Sequence, residues 1–269
     1  MSAVRALAHR RMNDAVALWA GFGRRIAVLA RDAGRIILPY YDGDPVVGSK
    51  YDGSPVTAAD QAAEALIVPV LRALTPDIPV VAEEAVAAGQ IPDVSGGRFW
   101  LVDPLDGTKE FIQKRGDFTV NIGLVENGAP VLGVVHTPVD GMLWAGSVGD
   151  GAWEEDADGN RRAISVRKAD PAALTVVASK SHRNPELEAY IATLPVRESV
   201  SRGSALKFCL VARGEADVYP RTGPTMEWDT AAGHALLLAA GGTLTAFDGT
   251  PFLYSKPDFR NGFFIARGG

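Results

Sequence analysis

A chain of 269 residues, 47% hydrophobic and 22% charged, can bury a sizeable core, either as one large domain or as two closely packed halves. The formal net charge of −5 excludes a general nucleic-acid binder, which needs a basic face, while leaving room for a small anionic substrate held by a few local cations. One cysteine, Cys209, cannot form an internal disulfide. No apolar run reaches membrane-spanning length, and the N-terminus with Arg5, Arg10 and Arg11 lacks a secretory core, so a cytoplasmic protein is expected, with peripheral contact to the inner membrane left open.

Along the chain, Trp19, Phe22, Ile26, Leu29, Ala33 and Ile36 recur at spacings of three and four, the stripe of an amphipathic helix that Pro39 and Asp42-Gly43 should end. A second helix is predicted from Ala58 to Leu74 through Leu66 and Val70, with Thr57 as its N-cap. Short apolar runs follow at 79–82 and 99–102, then at 119–125, 131–136 and 142–146. Asn127-Gly128 and Asp140-Gly141 separate the last three and predict an antiparallel meander. The last third alternates: a strand at 175–178, a helix at 185–194, a helix at 204–213, a strand at 216–219, a helix at 230–240 and a strand at 242–246. This change of rhythm divides the chain into an α+β half over residues 1–170 and an α/β half over 171–269. Cys209 lies in an apolar helical context and reads as a small buried hydrophobe. Asp156-Ala-Asp-Gly-Asn160 has a superficial likeness to a calcium loop but lacks the twelve-residue pattern, and reads as a polar hairpin tip.

The chemistry concentrates in Trp100-Leu-Val-Asp103-Pro-Leu105-Asp106-Gly107-Thr108. A strand delivers Asp103 to its end, Pro104 bends the chain, and Asp106 follows. Two carboxylates at that spacing can point at one locus, where a cation would offset their repulsion. Carboxylate and carbonyl oxygens, the Leu105 carbonyl among them, are the hard ligands that suit magnesium. Gly107-Thr108 lets backbone N–H groups approach a phosphate. Glu83 ends the preceding strand and should stand beside Asp103. Asp229 precedes an apolar helix, and Asp60 lies early in another. Each acid also has a plain reading: an Asx-Pro turn at Asp103, a solvated turn at Glu83, an N-cap at Asp229, and a favourable charge near a helix start at Asp60. Together they stand at strand ends and helix starts, where open sheets place their sites.

The run Asp103-Pro-Leu-Asp-Gly-Thr108 resembles the first signature of the inositol monophosphatase superfamily, and Trp228-Asp229-Thr-Ala-Ala-Gly233 resembles the second. The twenty-three residues from Asp60 to Glu83 fit the same pattern. Closer matches at Lys50-Tyr-Asp-Gly-Ser-Pro-Val-Thr57, Asp103 to Phe111, Gly203-Ser-Ala-Leu-Lys-Phe-Cys209 and Tyr219-Pro-Arg-Thr-Gly-Pro224 resemble the CysQ-type 3'(2'),5'-bisphosphate nucleotidase branch. The resemblance implies a five-layer αβαβα sandwich of two halves with the active site between them. It implies that Glu83, Asp103, the Leu105 carbonyl, Asp106 and Asp229 hold two or three magnesium ions. Asp60 and Thr108 would activate the attacking water, with Glu83 beside them, for direct in-line attack without a covalent phosphoenzyme. Gly107 and Thr108 would hold the scissile phosphate.

A bisphosphate brings a second dianion that needs cations of its own. Lys207, near a helix opening at Gly203-Ser204, is one candidate, and Arg221 in a Pro-Arg-Thr-Gly-Pro loop is another. Ser204, Ser179, Ser181 and His182 complete the expected substrate contacts. A surface lysine and a loop histidine are the plain readings of Lys207 and His182. The expected partner is a small nucleotide bisphosphate. Whether the protein is a monomer or a homodimer stays open, and an inositol-1-phosphatase or fructose-1,6-bisphosphatase-type sugar phosphatase is the alternative on the same scaffold.

Overall fold

The computed structural model describes residues 22–43, 47–49, 55–179 and 184–269. The expected positions Trp19, Ser181 and His182 lie outside them. Helix α1 runs Arg24–Asp42 and passes through Pro39 instead of stopping there. Pro39 sits in the last turn and its carbonyl still accepts from Gly43 N–H at 3.2 Å, so the missing proline donor costs one bond near an end that is fraying anyway. Its core stripe is Ile26, Leu29, Ala30, Ala33 and Ile37, with Ile36 only half-buried. Strands β1 (Val47–Ser49) and β2 (Pro55–Thr57) form a small antiparallel pair leading into α2 (Ala58–Leu74), which has the expected bounds. The buried stripe of α2 is Ala59, Ala63, Ile67 and Leu71, one residue out of phase with the expected Leu66, Val70 and Leu74, which pack at its flank. Small alanines on that face let the helix approach the sheet closely.

The next strands are β3 (Val80–Ala82), β4 (Arg98–Asp106), β5 (Thr119–Glu126), β6 (Ala129–His136), β7 (Leu143–Ser147), β8 (Gly151–Glu155) and β9 (Arg161–Ile164). They make one seven-stranded sheet in chain order, parallel between β3 and β4 and antiparallel elsewhere. The last hairpin is an addition to the expected meander. The Asp156 carboxylate closes it by accepting from the backbone N–H of Asp158 and Asn160 at 3.0 and 2.9 Å, as a hairpin tip. Between β3 and β4 lies the short α3 (Glu83–Ala87), and between β4 and β5 lies α4 (Thr108–Ile112).

The C-terminal part contributes β10 (Leu174–Ser179), α5 (Pro185–Ile191), β11 (Val196–Arg202), α6 (Leu206–Ala212), β12 (Val218–Arg221), α7 (Glu227–Ala239), β13 (Thr243–Ala246) and β14 (Phe264–Arg267). The strands form a second sheet in the order β11-β10-β12-β14-β13.

Strand alternation sorts the core. On β4, Trp100 and Val102 face α1 and α2, whereas Phe99 and Leu101 face α6 and α7. The opposite face of α6 and α7 meets Tyr219, Leu244, Phe264 and Ala266 of the second sheet. The outer side of that sheet, through Val176, Val218 and Ile265, packs on Tyr190 and Ile191 of α5. The stack is therefore helix, sheet, helix, sheet, helix.

The central helix α7 lies in a trench. Gly123, Gly133 and Gly146 stand side by side on β5, β6 and β7, paired in register. A Cβ on Gly133 would come within 2.1 Å of the Ala232 carbonyl oxygen, one on Gly123 within 2.8 Å of Ala232 N, and one on Gly146 within 2.7 Å of Ala239 Cβ. On its other side, Gly233 lies against Phe208 of α6, where a Cβ would meet Cδ2 at 2.4 Å. The helix is thus held at backbone contact from both layers, and its first turn is aimed at the end of β4.

Candidate active site

Parallel pairing puts Val80 opposite Trp100 and Ala82 opposite Val102, so Glu83 follows β3 where Asp103 follows on β4. Glu83 is the first residue of α3, at a strand-to-helix switch and not at a bare strand end. Asp103 shares the alternation of Phe99 and Leu101 and so belongs to the face that α7 covers. Its Oδ1 accepts from the Leu105 N–H at 3.0 Å, closing an Asx turn around Pro104. The pairing of β4 with β5 slips between Asp103 and Asp106, a bulge that re-aims Asp106. Asn121 of β5, opposite Asp103, donates from Nδ2 to Asp106 Oδ2 at 3.3 Å. Gly107 then takes φ +98°, a left-handed turn that starts α4 at Thr108. The Thr108 hydroxyl donates to the Leu105 carbonyl at 3.4 Å.

Asp229 is not an N-cap, as its sequence position suggested. Helix α7 begins two residues earlier, and Asp229 sits in its first turn, where Oδ2 accepts from Met226 N–H at 2.8 Å. Asp60 occupies the same place in α2, its Oδ2 accepting from Thr57 N–H at 2.8 Å and from the Thr57 hydroxyl at 2.6 Å.

Asp106, Glu83 and Asp229 feel one another's charge. Both Asp106 and Asp229 keep part of their surface open to the cavity, yet desolvation dominates. Burial pushes Asp106 up to about 6, with Glu83 adding to the rise and Lys207 opposing it. Burial pushes Asp229 up to about 8, helped by Asp106 and Glu83. Burial holds Lys207 down at about 8 against the pull of Asp106. Like charges converging in a desolvated place are costly without a cation among them. Among the described residues, no three His, Cys, Asp or Glu side chains stand close enough as they are to hold an ion. The all-oxygen donor set, with two carboxyls driven towards their neutral form, nevertheless fits a hard divalent cation, whose charge would draw the acids in.

A cavity of about 200 Å³ opens beside these acids. Asp106, Gly107, Thr108 and Asp229 line it together with Ser179, Ser204, Lys207 and Arg221; Glu83, Asp103 and Asp60 are not on its wall. Lys207 is 4% exposed and folds back onto the Ser204 carbonyl, so it is no surface lysine. Arg221 ends β12, not a loop as expected, and is 6% exposed. Its Nη2 donates to the Pro224 carbonyl at 3.2 Å, while its Nε and the Ser204 hydroxyl have no partner among the described residues. Ser204 holds φ +44°, an uncommon left-handed setting for a side-chain-bearing residue.

Asn121 and Asp117 escaped the sequence reading. Asn121 left a signal, a lone amide inside the apolar run of β5. Asp117 left none: its carboxylate accepts from Gly203 N–H at 3.1 Å, tying the turn before β5 to the Ser204–Lys207 segment across 86 residues of chain. Cys209 is fully buried and burial pushes its thiol well up, the small hydrophobe it was expected to be. Among the described residues no helix is long and apolar enough to cross a membrane.

The sequence profile of the inositol monophosphatase family matches residues 25–262. The 3'(2'),5'-bisphosphate nucleotidase CysQ of Escherichia coli O6:H1 is 50% identical over 244 residues, covering 88% of this chain and 97% of that protein. Human inositol monophosphatase 1 is 31% identical over 233 residues, with 83% of each chain covered. The crystal structure of CysQ from Bacteroides thetaiotaomicron superposes with a TM-score of 0.78 at 39% identity, covering 93% of this chain and 98% of that one.

Proposed function

This chain belongs to the inositol monophosphatase family, and we propose that it is a magnesium-dependent 3'(2'),5'-bisphosphate nucleotidase, removing the 3'-phosphate of adenosine 3',5'-bisphosphate to leave AMP. The 2'-phosphate isomer and 3'-phosphoadenylyl sulfate are further substrates in the same class. The observation that carries the reading is the cavity whose wall mixes acids and buried cations. Two mutually repelling acids, Asp106 and Asp229, share its wall with the Gly107-Thr108 turn and two buried cationic side chains, which supports one pocket with a place for a metal-held phosphate and a place for a second anion.

Glu83, Asp103, the Leu105 carbonyl, Asp106 and Asp229 are the residues that would hold two or three magnesium ions. When bound, the metal supplies the positive charge that favours hydroxide over water near neutral pH and steadies the leaving ribose oxygen. The chain's own groups do the rest. Asp60, fixed by Thr57, and Thr108 orient the attacking water, and Asp60 takes its proton. The backbone N–H groups at Gly107 and Thr108 hold the scissile phosphate in line. Ser204, Lys207 and Arg221 hold the second phosphate and so set the position of the first. In this reading the 1–170 half supplies most of the metal ligands and the 171–269 half the second anion site, with Asp229 crossing between them.

The test is phosphate release from adenosine 3',5'-bisphosphate, inositol 1-phosphate and fructose 1,6-bisphosphate, with and without magnesium. The bisphosphate nucleotide should give the highest kcat/KM and depend on the metal. A clearly higher value for either sugar phosphate would replace the substrate assignment.

A further inference from the structure

We propose that Glu64 is a positioning residue for the metal site, a buried carboxylate on α2 that fixes the first turn of α3 and with it the direction in which Glu83 leaves the backbone. The inference rests on the reading of Glu83 as a metal ligand. Helix α3 has five residues, too few to hold itself in water, and its N-cap residue, Ala82, has no side-chain acceptor for the exposed amides. Glu64 supplies both from another element: Oε2 accepts from Glu84 N–H and Oε1 from Ala85 N–H, each at 2.8 Å. These are the two amides that follow Glu83, so the plane of the Glu64 carboxylate determines where β3 stops and the helical turn begins.

Glu64 is 8% exposed and stands beside Ala63, Ile67 and Val68 of the core, where a carboxylate is costly to bury without charge-assisted bonds. A residue tolerated there only for fastening a surface turn would be poorly placed. One turn earlier on the same helix, Asp60 is anchored to Thr57, so α2 carries two buried carboxylates in a row, one bonded to the start of its own helix and one to the backbone beneath Glu83.

The experiment measures magnesium binding by calorimetry, without substrate, on the full chain and on Glu64→Gln, Glu64→Asp, Glu83→Gln and Thr75→Val. Thr75 accepts from Trp100 Nε1 at 2.9 Å at the far end of α2, and its replacement gives a stability control away from the metal. Glu64→Gln should weaken magnesium binding by about tenfold, as loss of an outer-shell partner does, and Glu64→Asp by less. Amide exchange at Glu84 and Ala85 should quicken in both Glu64 variants, while KM for substrate at saturating magnesium stays unchanged. Thr75→Val should lose melting temperature yet bind magnesium as the parent does. If the Glu64 variants lose stability but keep parental magnesium affinity while Glu83→Gln loses it, Glu64 is only a fastening and the inference fails. If Glu83→Gln itself binds as the parent does, the metal reading fails, whatever the Glu64 variants show. Glu64→Asp keeps the test alive should Glu64→Gln not fold.

Discussion

Replacing Gly133 with alanine tests whether the glycine trench sets the position of Asp229. The added Cβ would lie 2.1 Å from the Ala232 carbonyl oxygen, with the Ala232 carbonyl carbon at 2.8 Å and Cα at 2.9 Å. All three are backbone atoms of α7, so no rotamer change relieves the contact. The helix must retreat by roughly 1 Å to restore an ordinary separation. It has nowhere to go, because Gly233 on the opposite side already packs on Phe208. Overpacking of a tight core costs about 1–3 kcal/mol, and the rigidity here places Gly133→Ala at the upper end. Ala232 is less than one turn from Asp229, so the same displacement moves the carboxylate. A misplacement of about 1 Å can cost on the order of 100-fold in rate. Urea unfolding should show a lower midpoint at unchanged m, and phosphate release should show a fall in kcat. Gly123→Ala should behave alike but more mildly, its contact being with Ala232 N at 2.8 Å. The double variant should cost less than the sum, since one retreat of α7 relieves both contacts. A Gly133→Ala protein within about 0.5 kcal/mol of the parent, at full activity, would refute the trench as the determinant.

Asp229→Asn should abolish magnesium-dependent turnover yet leave the metal-free protein as stable as the parent or more so, because burial and like charges already push this carboxyl up to about 8; a melting curve without magnesium, paired with phosphate release, checks both halves. Lys207→Met and Arg221→Met should each raise KM for adenosine 3',5'-bisphosphate by at least about tenfold while changing KM for a monophosphate little, each having lost a charge-assisted bond. Equal effects on both substrates would remove these two residues from the second anion site. Burial holds His136 down at about 4 and His234 down at about 3, so both stay neutral in the fold and take up protons more readily once unfolded. Their contribution is therefore present above about pH 6.5 and lost as pH falls, by roughly 1.4 kcal/mol per histidine at pH 5.5. Denaturation at pH 7.5 and 5.5 measures it, and His136→Gln or His234→Gln should flatten the dependence.

The readable parts of the fold were those with local punctuation. Thr57 and Asp60 start α2 by bonds three residues apart, and Asn127-Gly128 turns β5 into β6, so both were visible in short windows. Strand β11 was invisible because it is an edge: Arg197, Glu198 and Ser199 face water and give no apolar run. Of the β8–β9 hairpin only the tip at residues 156–160 was legible; its outer strand hid for the same reason, with Arg161 and Arg162 exposed. The N-cap is the plain reading of Asp229 because the apolar pattern starts the helix at 230; the burial of Glu227 and Trp228 in the true first turn comes from tertiary contacts that no window contains. The acids were visible through their signatures, but the residues that hold them were not. Glu64 meets amides 20 and 21 residues on, and Asn121 meets a carboxylate 15 residues back.

That split between visible acids and hidden supports follows from electrostatics. Glu83, Asp106 and Asp229 repel one another, so local propensity alone would splay them. Each is held by something outside its own segment. Glu64 fastens the turn below Glu83, and Asn121 bonds Asp106. The first turn of α7 is fastened twice. Asn261 Nδ2 donates to the Met226 carbonyl at 2.7 Å, and the fully buried Glu227 accepts from Ser255 N–H, Lys256 N–H and Lys256 Nζ at 2.9, 2.9 and 3.0 Å. The long loop after β13 is therefore a brace that keeps Asp229 pointed at charges it would otherwise avoid. Glu227→Gln would remove the ion pair to Lys256 while sparing the cavity wall. If the brace acts as argued, magnesium affinity falls together with the protection of the Met226 and Asp229 amides; affinity that holds while protection falls would leave the trench alone to position the helix.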